Sequence, residues 1–304
     1  MRFITPLILT SILLLAIPAL AKEDPKKKKP KADSEKIEKP GKKTPETPAQ
    51  KKEEPRVWAT GYTDTPLLPG GKWRVHDDTR PRPEVVTPGE RSSNAPSDAI
   101  VLFDGTNLDE WSMDADGSGC DWVMRNDYME VPPKSESVGG SARTKREFSD
   151  FQLHIEFATP EVVEGNSQGR GNSGVFLLGA FEIQVLDSYN NKSYADGQAS
   201  AIYGYKPPLV NACRPPGKWQ TYDIIFEGPK WDSEGNLLKR AYVTVMHNGV
   251  LTHHRQDFLG PGGHKQVPNY NNVQESGPLK LQNHGNPTRF RNIWIRELDF
   301  NANN

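Results

Sequence analysis

The chain has 304 residues, with 38 Lys and Arg set against 39 Asp and Glu for a formal net charge of −1. The balance is uneven: the basic excess sits between residues 22 and 55, so the remainder is acidic, which argues against nucleic acid as a partner of the globular part. Two cysteines with no C-x-x-C spacing exclude a cysteine zinc site and leave Cys120 and Cys213 either paired in a disulfide or separate.

The first element is a secretory signal over residues 1–21. Arg2 gives the positive start, Pro6 to Pro18 the apolar stretch and Ala19-Leu20-Ala21 the small-residue cleavage pattern. That stretch is about 13 residues, short of the roughly 20 a membrane helix needs. The sequence therefore predicts a protein that is secreted or held in the periplasm or cell envelope, with no membrane span after cleavage. Residues 22–55 are dominated by Lys, Glu, Pro, Ala and Thr, and Ile37 is their only large apolar side chain. Such a composition cannot offset its ordering entropy and reads as a disordered linker. Its Lys26–Lys29 run is either part of the solvated linker or an anionic-surface patch. Residues 56–98, rich in Pro, Gly, Thr and charge, predict an extended arm whose Trp58, Tyr62 and Trp73 dock on the main domain.

From residue 99 to 300 a period of two takes over and predicts a single all-β domain. Ile100–Phe103 ends at Asp104-Gly105, and Trp122–Arg125 and Tyr128–Val131 flank the turn Asn126-Asp127. Phe151–Phe157 alternates strictly, with Phe151, Leu153, Ile155 and Phe157 inward. The stretch Gly171–Gly179 and the following Phe181–Asp187 read as two strands pinched by glycines. In the second, Phe181, Ile183 and Val185 point to a core while Glu182 and Gln184 point the other way, suggesting a groove for a polar ligand such as a sugar. Trp219–Glu227 and Ala241–His247 follow, the latter closing on Asn248-Gly249, a strong hairpin signal because a type I′ turn needs positive φ at both positions. Pro278–Gln282 and Phe290–Leu298 complete an antiparallel two-sheet β-sandwich. No helical period is convincing after residue 56.

Four blocks in order carry a family resemblance. They are Leu102-Phe103-Asp104-Gly105-Thr106-Asn107-Leu108-Asp109-Glu110-Trp111; Phe148 to Phe157; Asn172 through Ser188 and on to Gly204; and Gly277 to Pro287 followed by Phe290 to Leu298. Across Ala99 to Leu298 the chain resembles the 3-keto-disaccharide hydrolase family. The resemblance implies a concanavalin A-like lectin/glucanase jelly roll that hydrolyses 3-keto-glycosides, or a non-catalytic carbohydrate-binding module of the cell envelope on the same fold.

The residues themselves speak against ordinary two-carboxylate glycoside hydrolysis. Retaining enzymes hold two carboxyl groups about 5 Å apart and inverting ones about 6.5 to 9.5 Å. Glu182 and Asp187 lie about 16 Å apart on an extended strand and on opposite faces. A 3-keto sugar needs less: the carbonyl acidifies the proton on C2, so one base, a stabiliser of the enolate and an acid for the leaving oxygen suffice. Glu182 and His284 are the expected catalytic pair, either one serving as the base or the acid. Gln184, Gln282 and Asn172 are expected to donate hydrogen bonds to the sugar, with Lys280 and Arg143 stabilising negative charge. Each has a plainer reading too: an outer sheet face for Glu182 and Gln184, a turn for His284 and for Asn172, which tolerates left-handed backbone. Trp111, Tyr189, Tyr203, Tyr205 and Trp231 could stack on sugar rings or lie in the core. His253 and His254 point apart as adjacent strand residues, and His247 and His264 lack a ligating neighbour. No cofactor is expected; a calcium or manganese site assembled from loop oxygens stays open, as does the oligomeric state.

Overall fold

A computed structural model describes residues 57–133 and 140–300. The signal and the linker lie outside the described residues. The chain divides into two units, Met1–Tyr62 and Thr63–Asn304. In the first, Val57 and Trp58 are exposed.

The second unit is built from strands β1 (Ile100–Phe103), β2 (Trp111–Met113), β3 (Val123–Arg125), β4 (Tyr128–Glu130), β5 (Ala142–Phe148), β6 (Phe151–Ala158), β7 (Ser173–Leu177) and β8 (Phe181–Val185). It continues with β9 (Gln220–Glu227), β10 (Lys230–Trp231), β11 (Leu237–Lys239), β12 (Tyr242–His247), β13 (Val250–Asp257), β14 (Gly277–Leu281) and β15 (Arg289–Glu297). Among the described residues there is no α-helix, only the short 3-10 turns Ser167–Gly169 and Ala195–Gly197. The predicted strands lie within about two residues of these bounds, save that β13 runs well past Leu251. Sequence periodicity missed β2, β5, β10 and β11. In β5, Thr144, Lys145, Arg146 and Glu147 interrupt any apolar alternation, so that strand had no local signature.

The strands form an antiparallel sandwich. One sheet runs β13-β12-β9-β6-β15-β4-β3, with β1 pairing the other half of β15; the second runs β2-β5-β14-β7-β8. Leu153, Ile155, Phe157, Tyr222, Ile224 and Phe226 from the large sheet pack against Val175, Leu177, Phe181, Ile183, Val185, Leu279 and Leu281 from the small one. Burying each such side chain contributes about 1.5–3 kcal/mol, and these pairings fix which face of every strand is left for other work. The β12–β13 hairpin turns at Asn248 (φ 53°) and Gly249 (φ 77°), the conformation its sequence asked for.

Residues 63–98 fall in the same unit as the sandwich. The Ser93 carbonyl accepts hydrogen bonds from Asn292 Nδ2 (2.9 Å) and Trp294 Nε1 (3.0 Å), and Asp98 pairs with Arg296. These ties fall at a bulge in β15, where the pairing with β6 shifts between Arg291 and Trp294 and Asn292 takes φ 46°. Trp73 is half-buried. Both Cys120 and Cys213 carry free thiols.

Candidate active site

The outer face of the small sheet carries one continuous cross-strand row. Glu182 on β8 pairs with Phe176 on β7, which pairs with Lys280 on β14, which pairs with Arg143 on β5, which pairs with Ser112 on β2. One step along, Gln184 sits opposite Gly174, whose carbonyl takes the Gln282 backbone amide at 3.0 Å. Alternation in β8 sends Phe181, Ile183 and Val185 into the core and Glu182 and Gln184 onto this row.

The β8 end of the row is roofed. Segment 200–203 adds along the free edge of β8: Ser200 N donates to Gln184 O, Gln184 N to Ala201 O and Tyr203 N to Glu182 O. An open sheet edge is thereby satisfied. Buried side chains brace it from the other sheet, with Tyr222 Oη donating to Gln184 O (2.7 Å) and His253 Nε2 at 2.9 Å from Ser200 O. The turn Ser167–Gly169 approaches from the opposite side. Gln168 accepts from Gln184 Nε2 at 2.8 Å and donates to Ser193 Oγ and the Gly197 carbonyl.

Between these loops lies an open cavity of about 810 Å³, well within the size range of small-molecule sites. Glu182, Gln184, Gln282, Asn172 and His284 all line it, joined by Phe176, Gln168, Tyr194, Tyr203 and His264. Glu182 is 7% exposed. Burial pushes its carboxyl up to about 8, against the opposing pull of the Lys280 charge. Gly174 is the reason it fits: a methyl group there would fall on the Glu182 carboxyl and the Phe176 ring. The Gln184 and Gln282 side-chain oxygens are buried without a hydrogen-bond partner, a condition that costs about 1–3 kcal/mol per group unless a ligand relieves it.

The structure separates the predicted residues. Lys280 is not part of the cavity lining; its Nζ lies 4.7 Å from the Phe176 ring centroid and 3.6 Å from Asp114. Arg143 is one strand further out, paired with the same Asp114 at 3.8 Å, and lines a separate recess of about 300 Å³. It is too distant in the row to share the chemistry of Glu182. The Gln184 and Asn172 nitrogens each donate one hydrogen bond to Gln168, at 2.8 and 2.7 Å, which fixes the orientation of both amides. The left-handed backbone expected near Asn172 belongs to Gly171 (φ 59°). His284 stands exposed at the rim. Asp187 pairs with Arg170 at 2.6 Å and caps Tyr189, apart from the cavity. Trp111 is a core residue bonded to the Leu102 carbonyl. The places of Gln168, Tyr194 and His264 at the cavity had no signal in the sequence, because they sit on loops with no period to place them.

Among the described residues no group of three or more His, Cys, Asp or Glu side chains is placed to hold a metal ion, and no helix is long and apolar enough to cross a membrane.

An antiparallel jelly-roll sandwich with an open cavity lined largely by polar side chains on one sheet face suits a polar ligand. The chain belongs to the 3-keto-alpha-glucoside-1,2-lyase-like domain family, whose profile matches residues 98–296. It is 24% identical over 240 residues to a 3-keto-disaccharide hydrolase of Bacteroides thetaiotaomicron, covering 66% of this chain and 78% of the relative. A Parabacteroides distasonis protein provisionally called a glycosyl hydrolase is 41% identical, with TM-score 0.69 over 77% of this chain and 100% of its own. A second from the same organism shares the fold at 20% identity and TM-score 0.50, covering 71% of this chain and 99% of its own. The protein is thus an enzyme of the carbohydrate hydrolase type.

Proposed function

We propose that this enzyme hydrolyses glycosides whose ring carries a ketone at C3, by elimination and water addition. The observation that carries the reading is Glu182: one buried carboxyl at the cavity floor, held up to about 8 by burial beside a single cation. A lone base with a pKa near working pH suits removal of an activated C–H, where a base titrating near the operating pH is most effective.

The ketone makes the C2 proton acidic. Glu182 removes it, and the electron pair is held as the C2–C3 enolate. The enolate collapses, the C1–O bond breaks and the leaving sugar departs. Water then adds at C1, and Glu182, its proton exchanged with solvent in the meantime, protonates C2. Gln184 and Gln282 accept hydrogen bonds from ring hydroxyls with their buried oxygens, which fixes the C2 hydrogen over the carboxylate. His284 at the rim serves as a proton carrier to solvent. The route as drawn asks for no cofactor.

The test is to incubate the purified domain with 3-keto-trehalose and 3-keto-lactose in D₂O, with and without chelator. The expected result is released monosaccharide, deuterium at C2 of the 3-keto product, persistence in chelator and no product from unoxidised trehalose or lactose. Glycan binding without product from any of them would make the protein a binding module. We further propose export, supported by Arg2, the Pro6–Pro18 stretch and Ala19-Leu20-Ala21; a mature form beginning at Met1 would rule it out.

A further inference from the structure

Beyond the wall formed by Tyr194, Tyr203 and His264 lies a second recess of about 350 Å³, which shares those three residues and Gly263 with the main cavity. Asp196, Gly204, Lys265, Gln266 and Val267 complete its sides. The two spaces adjoin at a hydrogen-bonded chain: Tyr194 Oη is 2.9 Å from Tyr203 Oη, which is 3.4 Å from His264 Nδ1. Tyr203 is held beside the carboxyl by its backbone bond to Glu182 O, and its phenol is raised from its ordinary value by burial, then by Tyr194 and by the nearby Glu182 charge.

Resting on the proposed reaction at Glu182, we infer that this recess takes the departing half of the substrate, a second sugar ring, and that Tyr203 gives the proton to the departing oxygen. With one ring over Glu182 and the other in the recess, the oxygen joining them lies at the shared wall. There Tyr203 occupies the middle of the three hydroxyl and imidazole groups. A sugar alkoxide is a poor leaving group, and at working pH the Tyr203 phenol carries the proton that the departing oxygen needs. As the C1–O bond breaks with its electron pair on oxygen, the Tyr203 proton passes to that oxygen. The short-lived phenolate, with the His264 ring 3.4 Å away, takes its proton back from the water that adds at C1. Asp196 accepts from hydroxyls of the departing ring.

The experiment compares leaving groups. Tyr203→Phe is expected to lower kcat about 100-fold on 3-keto-trehalose and 3-keto-lactose, but less than about threefold on p-nitrophenyl 3-keto-glucoside, whose phenolate leaves without a proton. Val267→Trp, which fills the recess from an exposed loop, is expected to raise KM at least about fivefold more for the 3-keto-disaccharides than for methyl 3-keto-glucoside. Equal losses on all leaving groups in Tyr203→Phe, or no change in the KM ratio in Val267→Trp, would overturn the assignment while the reaction at Glu182 stands. Absence of wild-type turnover on every 3-keto substrate overturns that reaction and this assignment with it.

Discussion

Glu182 and His154 are two ionisable side chains buried on the outer faces of opposite sheets, 7% and 2% exposed, and their surroundings could hardly differ more. On the large sheet, His154 Nδ1 lies 2.7 Å from Asp223, its Nε2 3.8 Å from Glu156 and 3.3 Å from Asn292, and its ring stacks on Trp294 at 5.5 Å. Burial opposes its charge, but the Asp223 and Glu156 carboxylates outweigh it and hold the imidazole up at about 9. Arg291 and Asn292 in turn satisfy Glu156. On the small sheet, burial dominates and Lys280 only softens it. A buried charge with complete partners ties the fold together, whereas a buried acid left short of partners at a cavity floor is poised for chemistry.

The largest effect separates the two. Glu182→Gln is expected to lower kcat/KM at least about 1,000-fold with the fold intact; wild-type-like turnover of 3-keto-trehalose by this variant would remove the carboxyl from the mechanism. His154→Gln is expected to do the reverse, costing about 2 kcal/mol of stability at pH 6 because the part-buried Asp223 loses its charged partner whereas Glu156 keeps Arg291 and Asn292, while turnover per folded molecule persists. Denaturant melts alongside the assay check both halves.

Stability against pH sharpens the contrast. Both folded pKa values are raised, so each group binds more protons folded than unfolded and stability falls as pH rises through its window. For Glu182 that window runs from its ordinary 4.5 to about 8; for His154 it runs from 6.5 to about 9. Glu182→Gln should therefore raise stability at pH 9, on the order of 3 kcal/mol, with little change at pH 4. His154→Gln should lower it at pH 6 and converge with wild type above pH 9. A Glu182→Gln curve parallel to wild type would show that the carboxyl is not perturbed.

Smaller effects test the neighbours. Lys280→Met removes the charge that restrains the Glu182 pKa, so the ascending limb of kcat/KM should move to higher pH and the rate at pH 7 fall about fivefold; an unmoved limb would leave Lys280 with no part in the site. Gln282→Leu deletes one open acceptor and should raise KM about fivefold, the worth of roughly one hydrogen bond, with kcat near wild type.

Much of this was legible in the chain. Alternation in Phe151–Phe157 and Phe181–Val185 gave the inward faces, and Asn248-Gly249 gave its turn, because pleat and turn chemistry are local. The same alternation marked Glu182 and Gln184 as outward. It marked His154 and Glu156 identically, and only the neighbours distinguish catalysis from bracing. β5 stayed hidden because the charged Arg143, Lys145, Arg146 and Glu147 outnumber its core-facing Ala142 and Phe148. Gln168, Tyr194 and His264 stayed hidden because loop residues are positioned by what they meet.

By itself, the amino-acid order determined the strands, their inner faces and the antiparallel class, all set by side-chain period and short turns. Tertiary structure alone decided that segment 200–203 closes the edge of β8, that Gly174 leaves room for one carboxyl, and that Arg143 stands too far along the row. Those outcomes depend on distances between residues remote in sequence, where desolvation and charge act, and no local pattern encodes them.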